Sequence, residues 1–340
     1  MAKSNKKRKK GRFMAIFIGE FLLLLILIAG IYIYSKMDKL QYDNSQDENI
    51  QQNEEVDIDG YRNIALFGVD SRENKLEKST HSDTIIIASI NNKTKDVKLA
   101  SIYRDTYVKI PDKNEFSKIN AAYFRGGYSL ALSTINKNFD LDLKEYVTVN
   151  FAAVVNAIDL LGGITIDVQE NEVKYVNGYT RELNRINGTE VSGIKSAGTQ
   201  TLNGTQATAY ARIRYTSGGD YKRTERQRIV IEKVFDKLKD ADLKTKNAFI
   251  NQVFPEIYTN LRKTELLGLA SDILSYHIID QTGFPFEPDA HTYHKVSYVF
   301  PIDLTANVTK LHEFLFDKSD YVPSSTVKAY SEEIENIRKQ

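Results

Sequence analysis

Two aspartates and a run of arginines are the residues of this chain whose types and spacing suggest chemistry. Asp70 follows the apolar run NIALFGV (63–69), Asp83 precedes TIIIASI (84–90), and the pair Arg104–Asp105 follows VKLASIY (97–103). Runs of that length and β-branched content predict strands. If the second and third strands form a hairpin, Asp83 and Arg104 share one sheet edge, and an antiparallel first strand adds Asp70. Two carboxylates so placed suit a hard divalent cation, Mg2+ with Mn2+ as a substitute, which takes one or two carboxylates plus ligand phosphates. Each aspartate taken alone is an ordinary turn or cap residue. The signal lies in the combination.

The second constellation is ARIRYTSGGDYKRTERQR (211–228), with six basic residues opposed only by Asp220 and Glu225. A helix is predicted from Asp220, its capping residue, and it sets Arg223 and Gln227 on one stripe with Val230 and Val234. A solvated charged face would not continue into core valines, so Arg223 and Gln227 are expected to line a cavity. Arg212 and Arg214 share a direction only if the chain is extended there, and Gly218–Gly219 then turns it back. The next helix N-terminus is itself attractive to anions. Arginine forks match phosphate oxygens in pairs, and a metal would neutralise the remaining charge. Together these residues describe a pyrophosphate site.

The elements that must position these groups alternate in type. Beyond the three strands, the pattern predicts a helix over 118–137, a strand over 146–151, a helix over 152–161 and a strand over 164–168. Residues 171–200 are polar and read as an exposed loop. Asn203 caps an Ala-rich helical start. A helix over 220–239, helical sequence around 245–275, a strand over 294–302 and a helix near 305–316 complete an α/β or α+β domain spanning 58–325. Residues 326–340 read as a C-terminal tail. His291 and His294, in HTYH, read as strand or surface histidines because no cysteine or helical glutamate joins them.

Composition narrows the partners. The chain has 340 residues and no cysteine, which excludes disulfides and thiolate chemistry. Residues 1–12 hold seven basic and no acidic residues, leaving 39 basic against 45 acidic from Phe13 onward, a net of −6. The arginine stretch is a basic island in an acidic body, which argues against nucleic acid. Residues 13–34, FMAIFIGEFLLLLILIAGIYIY, are apolar except for Glu20 and would span about 33 Å as a helix, enough for a bilayer core. The expected topology is a cytoplasmic basic tail (1–12), one transmembrane helix (13–34) and an external domain. Residues 35–59 carry eight acidic residues with no apolar period, so 35–57 are expected to be a flexible tether. Anionic membrane lipid is the expected partner of the basic tail.

GVDSR (68–72), SDTIIIASIN (82–91), LASIYRDTYVKIP (99–111), KINAAYFRGG (118–127), VNFAAVVNAIDLLGGITIDV (149–168), LNGTQATAYARIR (202–214) and GGDYKRTERQR (218–228) resemble the LytR–CpsA–Psr family. The resemblance implies an α–β–α layered domain with a mixed sheet and antiparallel hairpins, external on one N-terminal transmembrane helix. It implies an enzyme of Gram-positive-type envelopes that moves a glycopolymer, such as teichoic acid or capsule, from a polyprenyl-pyrophosphate carrier to a peptidoglycan sugar hydroxyl. By matching motifs, Asp70 and Asp83 would hold Mg2+, while Arg104, Arg212, Arg214, Arg223 and Gln227 would bind pyrophosphate oxygens. Asp105 is the candidate base, with a structural pairing to a neighbouring arginine as the other reading. A non-catalytic lipid or glycan carrier is the alternative class, and a membrane-bound transcriptional regulator a more distant one. The chain departs from the family at Tyr103, where proline usually precedes the Arg–Asp pair.

Overall fold

The computed structural model describes residues 41–42, 49–54, 56–69, 76–77 and 80–340. The expected basic tail, the transmembrane helix over 13–34 and Asp70 lie outside the described residues.

Thirteen strands and nine α-helices are described, in chain order, with two short 3-10 turns at Glu170–Glu172 and Phe254–Glu256. The strands are β1 (Gln41–Tyr42), β2 (Tyr61–Val69), β3 (Ser82–Asn91), β4 (Asp96–Ile102), β5 (Tyr107–Ile110), β6 (Glu115–Lys118), β7 (Glu145–Asn150), β8 (Ile164–Val168), β9 (Gly198–Leu202), β10 (Ile257–Thr259), β11 (His277–Phe284), β12 (Pro288–Tyr293) and β13 (Val296–Pro301). The helices are α1 (Asn120–Phe139), α2 (Phe151–Leu160), α3 (Val173–Asn187), α4 (Gly204–Ala211), α5 (Gly219–Asp240), α6 (Leu243–Gln252), α7 (Lys263–Ser271), α8 (Leu304–Phe316) and α9 (Ser325–Arg338). Seven strands form the central mixed sheet in the order β1-β10-β7-β2-β3-β4-β11. The meander β2-β3-β4 is antiparallel, while β7 joins β2 and β11 joins β4 in parallel.

Alternation along β2 to β4 assigns the two faces. Ala65, Phe67, Ile85, Ile87, Ala100 and Ile102 pack into one core with α1, α8 and α9. Ile64, Ile86, Ala88, Val97 and Leu99 pack on the other face with Ile231 and Phe235 of α5. Both faces are covered, which explains why these strands read as continuous apolar runs. The layering is α–β–α, and a smaller core of α2, α3, α4, β8 and β9 flanks it.

The folded unit runs past both expected boundaries. Val56 and Ile58, assigned by sequence to the tether and the domain edge, are buried in the main core, and Ile50 packs against it. Asn53 is 3% exposed and donates to Asp140 Oδ1 at 2.6 Å. At the other end the expected tail is α9, because Val327, Tyr330, Ile334 and Ile337 recur at helical spacing and pack into the same core. Asp140 accepts from the Ser324 backbone N–H at 2.7 Å as well, so one buried carboxylate fastens both ends of the domain. The expected loop over 171–200 also contains α3 and β9. Val176, Thr180 and Leu183 of α3, at i, i+4 and i+7, are buried, and few residues are needed to specify one such stripe. Helical sequence around 245–275 is interrupted by β10, and a strand not expected from the sequence, β11, forms the sheet edge.

Candidate active site

The β2-β3-β4 meander brings its polar ends together as its register requires. Gly68 pairs with Thr84 but Val69 pairs with Ser82, so Asp83 is the extra residue of a β-bulge. A bulge re-aims the side chain it carries. Arg104, two residues beyond β4, donates from Nη1 to Asp83 Oδ1 at 2.6 Å. Burial works against the charge of Arg104, but the Asp83 carboxylate overrides it and holds the guanidinium above its ordinary pKa. Val69 ends β2 opposite Ser82, and Asp70 is the next residue in the chain.

Tyr103 occupies the place where proline is usual. Its backbone N–H donates to Phe284 O at 3.0 Å, a bond proline could not make. Its ring packs on Tyr221 of α5 with centroids 4.5 Å apart. Gly283 permits this approach, since a Cβ there would fall 2.2 Å from the Tyr103 hydroxyl oxygen. Asp105 is not brought to the pocket. It pairs with Lys118 at 3.0 Å and faces Arg104 Nε at 3.8 Å.

The second wall comes from 211–228. Asn203 caps α4 through Gln206, and α4 gives way after Ala211. Ile213 is fully buried while Arg212 and Arg214, flanking it, both line the pocket. Gly218 and Gly219 have φ of 89° and 48°, the left-handed turn that glycine permits, and α5 starts there. Asp220 is therefore in the first turn of α5 and is not the cap expected from the sequence. Its carboxylate holds Arg223 at 3.0 Å and faces Arg214 at 3.8 Å, a role the sequence reading missed although Asp and Arg at i and i+3 signal it.

Arg223 is 1% exposed. Its Nη2 donates to Asp83 O at 3.3 Å and to Asp220, yet Nε and Nη1 are buried with no hydrogen-bond partner among the described residues. Burial, opposed by Asp220 and assisted by Arg214 and Arg104, pushes its pKa down to about 10. The Oε1 of Gln227, one turn later, is buried and likewise unpartnered among the described residues. The remaining basic residues divide. Arg226 ties Glu172 at 2.6 Å, with Ile213 O and Thr216, bracing the loop from behind. Arg228 is buried beside Tyr103, and Lys222 pairs with Glu225 at the surface.

Asp83, Arg212, Arg214, Arg223 and Gln227, with the rings of Phe151 and Tyr179, enclose a cavity of about 120 Å³. Among the described residues, three guanidinium groups face one lining carboxylate, a balance that suits an anion. A second cavity, of about 250 Å³, lies between the sheet and the helices. Leu66, Gly68, Val147 and Val149 form its floor, and Val154, Ala211, Val230 and Ile231 form its walls. Phe151 and Gln227 line both cavities. The site is thus polar at one end and apolar at the other, the shape of an amphiphile.

The donors available to a metal are hard oxygens. Asp83 is the carboxylate lining the pocket, and among the described residues no three His, Asp or Glu side chains gather into a metal cluster. That set fits a cation that takes one or two carboxylates and completes its shell with ligand phosphates and water. His291, by contrast, stacks on Phe300 at 4.5 Å within the β12-β13 hairpin.

Comparison with known proteins agrees with this architecture. TagU of Enterococcus faecalis, a polyisoprenyl-teichoic acid–peptidoglycan teichoic acid transferase, is 30% identical over 235 residues, 68% of this chain and 72% of its own. TagV of Bacillus subtilis, a transferase of the same name, is 29% identical over 328 residues, covering 90% and 79%. A solved structure from Streptococcus agalactiae superposes with a TM-score of 0.65 at 27% identity, covering 80% of this chain and 92% of that one. YwtF (TagT), solved with bound octaprenyl pyrophosphate lipid, shares the fold at a TM-score of 0.57 and 22% identity, covering 81% and 99%. The profile of the LytR–CpsA–Psr family matches residues 27–312, and the chain belongs to that family.

Proposed function

We propose that this chain is a membrane-anchored phosphotransferase that moves a glycopolymer, such as teichoic acid or capsule, from a polyprenyl-pyrophosphate carrier to a peptidoglycan sugar hydroxyl outside the cell. The observation that carries this reading is the junction at Phe151 and Gln227, where the arginine pocket meets the apolar cavity. A free sugar phosphate would have no use for the apolar cavity, and a neutral lipid would give no acceptor to Arg223 Nε and Nη1. A prenyl pyrophosphate satisfies both. The transferase names of the relatives support the polymer and the acceptor.

In this reading Arg212, Arg214 and Arg223 bind the pyrophosphate oxygens, and Arg223 Nε and Nη1, without a partner among the described residues, gain one as the ligand enters. Arg104 does not line the pocket and acts through its bond to the lining carboxylate of Asp83. Mg2+, for which Mn2+ would substitute, would be held by Asp83 together with Asp70 and would neutralise charge on the phosphoryl oxygens. The acceptor hydroxyl forms a bond to the phosphorus that carries the glycan, and the bond from that phosphorus to polyprenyl phosphate breaks. The phosphate monoester that leaves can carry the displaced proton, since its second ionisation lies near pH 6. Preorganised guanidinium groups stabilise charge that grows in that transition state. Asp105, paired with Lys118 and Arg104, positions Arg104 in this scheme.

The test is the full chain in detergent or nanodiscs, given Mg2+, a prenyl-pyrophosphate saccharide and peptidoglycan fragments. Release of prenyl phosphate that requires Asp83 and Arg223 is the expected result. Tight binding of the saccharide lipid with no release under any of these conditions would replace the transferase with a carrier.

A further inference from the structure

The anion pocket has a neighbour besides the apolar cavity. Among its lining residues Tyr179 belongs to α3, whose buried stripe of Val176, Thr180 and Leu183 leaves Tyr175 and Tyr179, at i and i+4, on an adjoining flank. Both are partly buried against the flanking core. Tyr215, just after Arg214, is 71% exposed, and its ring lies 6.1 Å from that of Tyr175 with 31° between the planes. The Arg212 guanidinium lies 5.2 Å from the Tyr179 ring and 5.4 Å from Phe151, and it donates to Glu182 at 3.1 Å. Lys174 sits over Tyr175 at 4.7 Å.

Tyr215, with 71% of its surface open to water, is not held there by packing. These three rings form a ledge that begins at the pyrophosphate pocket and leads outward. Its chemistry is ring surface bordered by hydroxyls and the Glu182 carboxylate, with Lys174 over one face of Tyr175 and Arg212 over one face of Tyr179, which leaves their other faces and the Tyr215 ring for a ligand. A pyranose presents the complement, with C–H groups on its face and hydroxyls around its rim. Aromatic faces take such apolar surfaces while the phenol hydroxyls and Glu182 remain available for hydrogen bonds.

We propose that Tyr175, Tyr179 and Tyr215 seat the pyranose ring joined directly to the pyrophosphate, so that the ledge reads the first sugar of the donor. This rests on the pyrophosphate-lipid reading above and adds the direction in which the glycan leaves the pocket. The prenyl tail and the sugar then depart from the same anion site by different routes, the tail past Gln227 and the sugar past Tyr179.

The experiment measures, by calorimetry on the full chain in nanodiscs with Mg2+, affinity for farnesyl pyrophosphate and for farnesyl-pyrophosphoryl-glucose. Wild type should bind the glucosyl probe more tightly than the bare one. Tyr215→Ala should weaken the glucosyl probe about fivefold, equivalent to about 1 kcal/mol, and change the bare probe less than twofold. Tyr175→Ala should do the same, and Tyr215→Phe, which keeps the ring, should restore the glucosyl affinity. Equal losses for both probes, or no loss for either, would overturn the ledge while leaving the pyrophosphate-lipid site standing. If wild type binds neither probe, that site is wrong and the ledge falls with it.

Discussion

Arg223→Met is the substitution on which the site reasoning is most exposed. Methionine keeps an unbranched stem and removes the charge. The pKa of Arg223, pushed down to about 10, corresponds to about 3 kcal/mol set against the charged form, which is the form present at pH 7. Asp220 loses its closest partner, but its side chain is 27% exposed and still faces Arg214. The ligand-free domain should therefore gain about 1–3 kcal/mol, a rise in Tm of about 2–6 °C for a domain of this size. Binding should move the other way. Two buried donors without a partner among the described residues are worth about 1.5–3 kcal/mol each when a ligand meets them, so affinity for a prenyl pyrophosphate should fall at least a hundredfold. Differential scanning fluorimetry and calorimetry on the same preparation give both numbers. A Tm lowered by several degrees, or affinity within threefold of wild type, would show that Arg223 is a structural ion-pair partner and not a ligand group.

Three further outcomes follow from the same geometry. Ala211→Leu, at the wall of the apolar cavity, should weaken farnesyl pyrophosphate at least tenfold and leave inorganic pyrophosphate within twofold; equal losses would break the link between the cavities. Asp105→Asn should lower turnover about tenfold with an unchanged pH profile, because the side chain acts through Lys118 and Arg104, whereas a loss beyond a thousandfold would return Asp105 to the role of base. His312 is fully buried, its ring stacked on Tyr321 and bonded to Phe139 O at 3.1 Å, and burial pushes its pKa down to about 4. The unfolded chain takes up a proton near pH 6.5 that the folded chain refuses until about 4, so stability falls as pH falls across that window. Urea unfolding at pH 7 and pH 4.5 should show wild type losing about 2 kcal/mol more than His312→Gln, and equal losses would contradict the burial argument.

The arrangement of β2, β3 and β4 was legible because their polar ends are offset by lengths that an antiparallel meander must align. Arg223 and Gln227 were legible because their helical stripe runs into Val230, which is buried. Asp220 was misread, since capping depends on backbone angles and Gly218 had already supplied the left-handed turn. The bulge at Asp83 left no mark, because Ser-Asp-Thr pairs equally well in either register until the neighbouring strand is present. α3 was missed because its buried stripe includes Thr180, which counts as polar in any composition window. α9 was missed for a different reason: its stripe is regular, but position at the chain end suggested a tail. Tyr215 carried no signal at all, for exposure is set by neighbours that sequence does not order.

The junction at Phe151 and Gln227 has a kinetic consequence. In the proposed reaction the leaving group is the part of the donor that carries the tail, so the product keeps its hold on the apolar cavity after the bond is broken. Each methylene buried there contributes about 0.8 kcal/mol to retention. Prenyl phosphate should therefore compete with fresh donor, and turnover in dilute detergent should slow as product accumulates. A bilayer beside the domain would act as a sink that draws the tail away. The enzyme would then be fastest where the membrane, and not water, receives what it releases.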